Sequence, residues 1–296
     1  MTLELIETMA SLPARRADSH KGLFGSILIL AGGRGMAGAA ALAGAAALRS
    51  GAGKVKIACP AEVQPTVASF EPSYMTYPLP GDDLGLVDFD RARPAIERLV
   101  AEADVLAAGP GLGVSEGVRR LVAFLITEAE RPLVLDADAL NALVGRLELL
   151  SKPGPPVILT PHPGEFARLT GKPAPRGPEE RLAQAAELAG RYERVVVVLK
   201  GSGTVTTDGR RYHVNASGNP GMATAGAGDV LTGVAAALLG QKLLPFAAAQ
   251  LAVFIHGIAG DVARDDHGAI GMIAGDLVDA LPDAFLHAAP ESGEPF

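Results

Sequence analysis

Between residues 215 and 231 the chain passes through Asn219-Pro220-Gly221-Met222-Ala223-Thr224-Ala225-Gly226-Ala227-Gly228-Asp229. Small residues let a backbone approach a phosphate closely. The apolar run at 230–239 reads as a helix that begins at this turn, so free N–H groups and the positive end of the dipole face it. Such donors stabilise a phosphoryl group in transfer. Asp229 falls in the first helical turn. It is placed either to act as a base in that transfer or merely to offset the dipole, and the turn alone leaves both readings open.

Other residues suited to chemistry also follow apolar segments. Lys200-Gly201-Ser202-Gly203-Thr204 offers a cation, a hydroxyl and close backbone to a nucleotide, or a plain turn into a hairpin. Pro161-His162-Pro163-Gly164-Glu165 puts an imidazole and a carboxylate together, with prolines restraining His162. There His162 can be a ligand or a structural residue, and Glu165 can simply favour a helix start. Asp136-Ala137-Asp138-Ala139-Leu140-Asn141 can hold Mg²⁺ through water or cap the next helix. Gly109-Pro110-Gly111-Leu112-Gly113 closes another apolar segment. Gly33-Arg34-Gly35-Met36-Ala37-Gly38 matches G-x-G-x-x-G, but the acid of a dinucleotide site, due about 20 residues on, is missing at Ile57-Ala58-Cys59-Pro60. Ser50-Gly51-Ala52-Gly53-Lys54-Val55 fails as a P-loop: Leu48 replaces the first glycine and Val55 the metal-binding hydroxyl. His256 lies among apolar residues and reads as core or interface. Cys59, the single cysteine, reads as a small buried residue. No Cys/His cluster suggests zinc.

The elements that must position these loops alternate. Apolar strand segments are predicted at 26–31, 55–58, 105–108, 133–135, 157–160 and 195–200. Helical segments are predicted at 38–50, 91–103, 116–128, 138–144 and 179–191. Such alternation implies parallel strands with crossover helices, and continuous apolar strands imply a sheet covered on both faces. The loops after Ala31, Ala108, Leu135, Thr160 and Lys200 then share the carboxyl edge, where ligands bind in open parallel sheets. Beyond Lys200 a hairpin turning at Asp208-Gly209 is predicted, then helices at 228–239, 245–265 and 275–287. Residues 1–19 read as a short arm, and residues 1–296 as one domain. The net charge of −7 excludes a general nucleic-acid binder. The longest apolar runs are interrupted well short of a membrane span, and the lone cysteine and acidic N-terminus suit a cytoplasmic setting.

Taken together, Lys21-Gly22, Gly35-Met36-Ala37-Gly38-Ala39-Ala40, Gly109-Pro110-Gly111-Leu112-Gly113, Asp136-Ala137-Asp138-Ala139-Leu140-Asn141, Thr160-Pro161-His162-Pro163-Gly164-Glu165, Lys200-Gly201 and Gly226-Ala227-Gly228-Asp229 resemble the ADP-dependent NAD(P)H-hydrate dehydratase family. The resemblance runs from about residue 21 to about residue 282. It implies a ribokinase-like α/β fold, a central mostly parallel sheet flanked by helices on both faces. It implies dehydration of the S epimer of hydrated NADH or NADPH at the expense of ADP, with Mg²⁺, releasing AMP and phosphate. It places Ala40, Gly111, Gly113 and His162 against the hydrated dinucleotide. Lys200, Gly201, Ser202, Gly203, Thr204, Gly226, Ala227 and Gly228 would hold ADP, and Asp229 would face the substrate hydroxyl. The resemblance further implies a homo-oligomer, and a dehydratase unit whose epimerase would be a separate polypeptide. A ribokinase-like small-molecule kinase of the hydroxyethylthiazole or pyridoxine type shares Asp229 and its turn, with the 161–165 segment against it. A nucleotide-binding regulator without catalysis is the third reading.

Overall fold

Strands buried on both faces carry apolar side chains at every position rather than at alternate ones. The computed structural model, which describes residues 3–12 and 14–288, shows the consequence. Its strands are β1 (Glu4–Leu5), β2 (Ser26–Leu30), β3 (Lys54–Pro60), β4 (Met75–Leu79), β5 (Val105–Ala108), β6 (Leu133–Leu135), β7 (Val157–Leu159), β8 (Val195–Leu199), β9 (Val205–Thr207) and β10 (Arg211–Val214). They form one sheet in the order β1-β10-β9-β8-β7-β6-β5-β2-β3-β4. From β4 through β8 every pairing is parallel. β9 and β10 add the expected antiparallel hairpin.

Successive side chains alternate between two cores. Ile27 and Ile29 point to one, Leu28 and Leu30 to the other. The first core is roofed by α1 (Ala37–Arg49), α2 (Gln64–Phe70), α8 (Ala227–Gly240), α9 (Pro245–Gly271) and α10 (Ala274–Ala288). The second is roofed by α3 (Phe89–Ala101), α4 (Glu116–Thr127), α5 (Ala137–Leu143), α6 (Pro163–Thr170) and α7 (Pro178–Gly190). The alanine and glycine of α1 and α8 serve close packing: a methyl on Gly233 would lie 2.2 Å from the Ala43 carbonyl.

The structure departs from expectation in four places. The N-terminal segment is more than an arm, because β1 pairs with β10 and covers its open edge. α2 and β4 are additional; Pro78 breaks the strand pattern of β4 but is tolerated on an edge strand. α6 begins inside the segment read as a loop at 161–165. α9 runs on past 265 to a break at Gly268 (φ 74°), and by length and composition it could cross a membrane. Of its most apolar 18-residue window, 67% is buried inside the protein, where it serves as a core helix.

β2 sits between β3 and β5, so the chain leaves it first one way across the sheet and later the other. That reversal opens a crevice beyond the carboxyl ends of β2 and β5. The loops after these strands meet there: the Gly32 N–H donates to the Pro110 carbonyl at 2.8 Å.

Candidate active site

The turn before α8 depends on small residues. Gly226 is the N-cap at φ 93°, a conformation glycine adopts without strain, and a methyl there would meet Leu42 at 2.6 Å. Val230 N–H is bonded to Gly226 O at 3.1 Å as the ladder begins, Ala227 N–H turns back to the Thr224 carbonyl at 3.4 Å, and the Gly228 and Asp229 amides are left at the helix end. Asp261 of α9 anchors the preceding loop, accepting from Gly218 N–H at 2.8 Å and from Asn219 Nδ2 at 3.1 Å. The largely enclosed His256 ring, also on α9, has Nε2 2.9 Å from the Ala227 carbonyl. A carbonyl only accepts, so Nε2 carries the proton. Burial holds this imidazole neutral, with its pKa lowered to about 4. Of the two readings, core or interface, the structure places His256 under the turn, bonded to the first residue of α8.

Across from α8, the ends of β6, β7 and β8 bring one cation and several acids together. Lys200 Nζ lies 2.7 Å from Asp136 Oδ1 and 3.9 Å from Glu165 Oε2. The Lys200 side chain is 18% exposed and that of Asp136 1%, so the pair is screened from bulk water. Asp136 also accepts from Thr160 Oγ1 at 2.8 Å and from Thr232 Oγ1, one turn into α8, at 3.0 Å. Asp136 is therefore neither a side-chain cap of α5 nor a free metal ligand: both its oxygens are engaged. Burial alone would lower the pKa of Lys200, but the facing carboxylates of Asp136, Glu165 and Asp229 outweigh it and raise it. For Asp229, burial first and then repulsion from Asp136 raise the carboxyl from 3.8 to about 7, against the pull of Lys200. A carboxyl so tuned, at a helix end, has the pKa that proton abstraction near neutrality requires.

The remaining loops are tied to this centre. Asp138 accepts from Gly113 N–H at 2.8 Å and from Asn141 Nδ2 at 3.2 Å, and Arg168 of α6 bonds Asn141 at 3.0 Å. Asp138 thus spends its oxygens tying the 109–113 loop to α5 and, through Asn141, to α6. Gly109 allows this approach: a methyl there would fall 1.8 Å from the Asp136 carbonyl. His162 is the N-cap of α6, with Nδ1 accepting from the Gly164 and Glu165 amides, while Glu165 accepts from His162 N–H at 2.8 Å. The ring is half-exposed, with Nε2 3.5 Å from Glu165 Oε1. In the 200–204 loop the Thr204 hydroxyl is committed to Gly201, donating to its carbonyl at 2.8 Å. Arg181 of α7 holds the carbonyls of Ser202 and Gly203.

Of the expected site residues, Lys200, Gly201, Ser202, Gly203, Gly226, Ala227, Gly228, Asp229 and His162 are brought to one edge, with Gly111 and Gly113 beside them. Two differ from expectation. Ala40 is fully buried with its methyl packed beneath Gly32, so a ligand there would meet the 33–36 loop above it. Thr204 is buried and shapes its loop instead of presenting its hydroxyl. The sequence reading gave Thr160 no side-chain role, and it missed Thr232, Arg181 and Asp261. Thr232 stands four residues after Gly228, on the same helical face, and that spacing was the available signal. Among the described residues, no cluster of His, Cys, Asp and Glu could chelate a metal by itself. A cavity of about 790 Å³ lies between α1, α2 and α10 and touches the α8 turn only at Ala225, away from the ion pair.

A family model described as NAD(P)H-hydrate dehydratase matches residues 27–283. The chain belongs to this family. It is 47% identical over 275 residues to the bifunctional NAD(P)H-hydrate repair enzyme Nnr of Moorella thermoacetica, covering 92% of this chain and 51% of that one. The Escherichia coli Nnr is 38% identical, with 91% and 49% covered. The chain thus spans about half the length of the curated relatives it matches. Among solved structures, the ADP/ATP-dependent NAD(P)H-hydrate dehydratase of Bacillus subtilis, co-crystallised with ATP and Mg²⁺, superposes with TM-score 0.79 at 35% identity, covering 94% of this chain and 95% of that one. A hydroxyethylthiazole kinase from Pyrococcus horikoshii superposes at 0.60 and 18% identity, covering 88% of each chain, a likeness of fold alone. The dehydratase family and the ribokinase-like fold implied by the sequence motifs are both found.

Proposed function

We propose that this dehydratase-family chain removes water from the S epimer of hydrated NADH or NADPH, using ADP and releasing AMP and phosphate. The observation that carries this reading is Asp229, raised to about 7 at the open end of α8 beside Lys200. Hydroxide is a poor leaving group near neutral pH and phosphate a good one. Asp229 takes the proton of the C6 hydroxyl as that oxygen attacks the terminal phosphorus of ADP, and the bond to AMP breaks. The amides at the start of α8 and the Lys200 ammonium receive the charge that develops on the phosphoryl oxygens. The ring nitrogen's lone pair then expels phosphate from C6, and loss of a proton from C5 restores the dihydronicotinamide.

Mg²⁺ would supply further charge neutralisation on the phosphates. The engaged oxygens of Asp136 and Asp138 fit an ion carried in by the nucleotide better than a resident one. Lys200, Gly201, Ser202, Gly203 and the 226–228 turn hold the nucleotide, and His162 with the 109–113 loop faces the hydrated dinucleotide. We further read the chain as one dehydratase unit, cytoplasmic and self-associating. The test is incubation with hydrated NADH and Mg-ADP. Recovery of the reduced-nicotinamide absorbance with stoichiometric AMP supports the reading. Accumulation of a phosphorylated small alcohol from ATP, with no recovery, would replace it by a kinase.

A further inference from the structure

Asp136 is nearly inaccessible and joins five elements at one point. It stands between β6 and α5, takes Thr160 from the end of β7 and Lys200 from the end of β8, and takes Thr232 from α8. Thr232 also donates back to the Gly228 carbonyl at 3.2 Å. A methyl on Gly228 would lie 3.2 Å from Lys200 Nζ and 3.6 Å from Asp136 Oδ2. The first turn of α8 therefore rests directly on the ion pair. Ala137, immediately after Asp136, is held at φ 46°, a left-handed conformation that costs an alanine about 1–2 kcal/mol. The fold retains that strain where the backbone delivers this carboxylate.

We infer that Asp136 is a positioning residue: its buried carboxylate fixes the Lys200 ammonium beneath the first turn of α8, at the junction between the transferring phosphate and Asp229. This rests on the proposed dehydration. A free lysine side chain would sample many rotamers and collapse onto Asp229 or Glu165. Asp136 supplies a nearer partner, and the threonine hydroxyls hold that partner still. Charged groups face Lys200 from every side: Asp136 at the end of β6, Glu165 on α6 and Asp229 on α8, with Asp138 on α5 further out and neutral His256 on α9. Asp136 is the closest of the carboxylates, and its charge is one reason Asp229 holds its proton up to neutrality.

The test is a double-mutant cycle of Asp136→Asn with Lys200→Met, read by single-turnover rate with hydrated NADH and, separately, by calorimetric binding of Mg-ADP. Asparagine keeps the shape: its Oδ1 accepts from Thr160 and its Nδ2 donates to the Thr232 hydroxyl, which still donates to the Gly228 carbonyl, so the fold is retained. Asp136→Asn is expected to lower the rate at least about tenfold while Mg-ADP binds within about threefold of wild type, since the removed charge also repelled the phosphates. In the Lys200→Met background, with rates compared at a pH above the acidic limb so that the direct effect of Asp136 on Asp229 drops out, it should add less than about twofold, because the positioning acts through Lys200. The acidic limb of the rate–pH profile should move to lower pH in Asp136→Asn and stay in place in Thr232→Val. An additive cycle would overturn the inference, as would an unmoved limb. Lost Mg-ADP binding at an unchanged rate constant would overturn it too. If wild type binds Mg-ADP but never restores NADH, the dehydration reading itself fails.

Discussion

Replacing Asp229 with asparagine changes one atom type and should separate chemistry from stability. The carboxyl's raised pKa, from 3.8 to about 7, means that folding favours its protonated form. A raised folded-state value contributes stability that is complete below the unfolded value and is lost as pH rises through the folded one. Wild type should therefore lose stability between about pH 4 and pH 7 through this group. At about 1.4 kcal/mol per pH unit the full shift is worth up to about 4 kcal/mol. Part of the gain on substitution is offset because Lys200 loses a favourable charge, so about 1–3 kcal/mol is expected for Asp229→Asn at pH 8. With an unfolding entropy of about 2.1 cal/mol/K per residue over 296 residues, that raises Tm by about 2–5 °C. At pH 4 the gain should vanish. His256 works in the same window with the opposite sign, since its lowered pKa of about 4 costs stability as pH falls. Comparing the two proteins at each pH cancels that contribution. Paired thermal melts from pH 4 to 8 give the difference, and steady-state assays with hydrated NADH and Mg-ADP give the rate. The rate should fall about 10²–10⁴-fold, as for loss of a general base. A pH-independent Tm difference would show that Asp229 is ionised throughout. A rate within about threefold of wild type, with intact nucleotide binding, would show that it is not the base.

Gly228→Ala should leave Tm unchanged or slightly higher, because alanine favours a helix by about 1 kcal/mol. Its methyl displaces the Lys200 ammonium 3.2 Å away, so Mg-ADP affinity in calorimetry should weaken by roughly tenfold. His162 has two jobs that two variants separate. His162→Asn retains a capping acceptor and should melt like wild type, whereas His162→Ala should lose about 1 kcal/mol; both should raise KM for the hydrated dinucleotide if the half-exposed ring meets it. Asp261→Ala removes the acceptor for Gly218 N–H and Asn219 Nδ2, costing about 1–3 kcal/mol in denaturant unfolding. It should weaken Mg-ADP binding through a looser turn, with partial rescue by Asp261→Asn.

Much of this protein is local in origin and therefore legible in its sequence. All-apolar segments such as the one at 195–199 need no partner to declare a sheet buried on both faces. Alternation with helices then dictates parallel strands and a shared carboxyl edge. The 226–229 turn likewise follows from small residues ahead of an apolar helical run, which is why Asp229 and its neighbours stand where expected. Elements whose local signal conflicts with their context were hidden: β4 carries Pro78 on an edge, and α6 starts inside a proline-rich segment. Side-chain partnerships were hidden too, because contact between residues 136 and 200 or between 136 and 232 depends on strand order and not on spacing. A pair of aspartates at a strand end is compatible with a metal site, a cap or an ion pair. Tertiary structure decided for the ion pair by placing Lys200 two strands away in the sheet order. It also turned Ala40 inward and closed the Thr204 hydroxyl onto Gly201. The sequence thus determined which groups the active edge carries. Folding alone decided their charge states, since the pKa of Asp229 depends on burial and on carboxylates brought in from β6, α5 and α6.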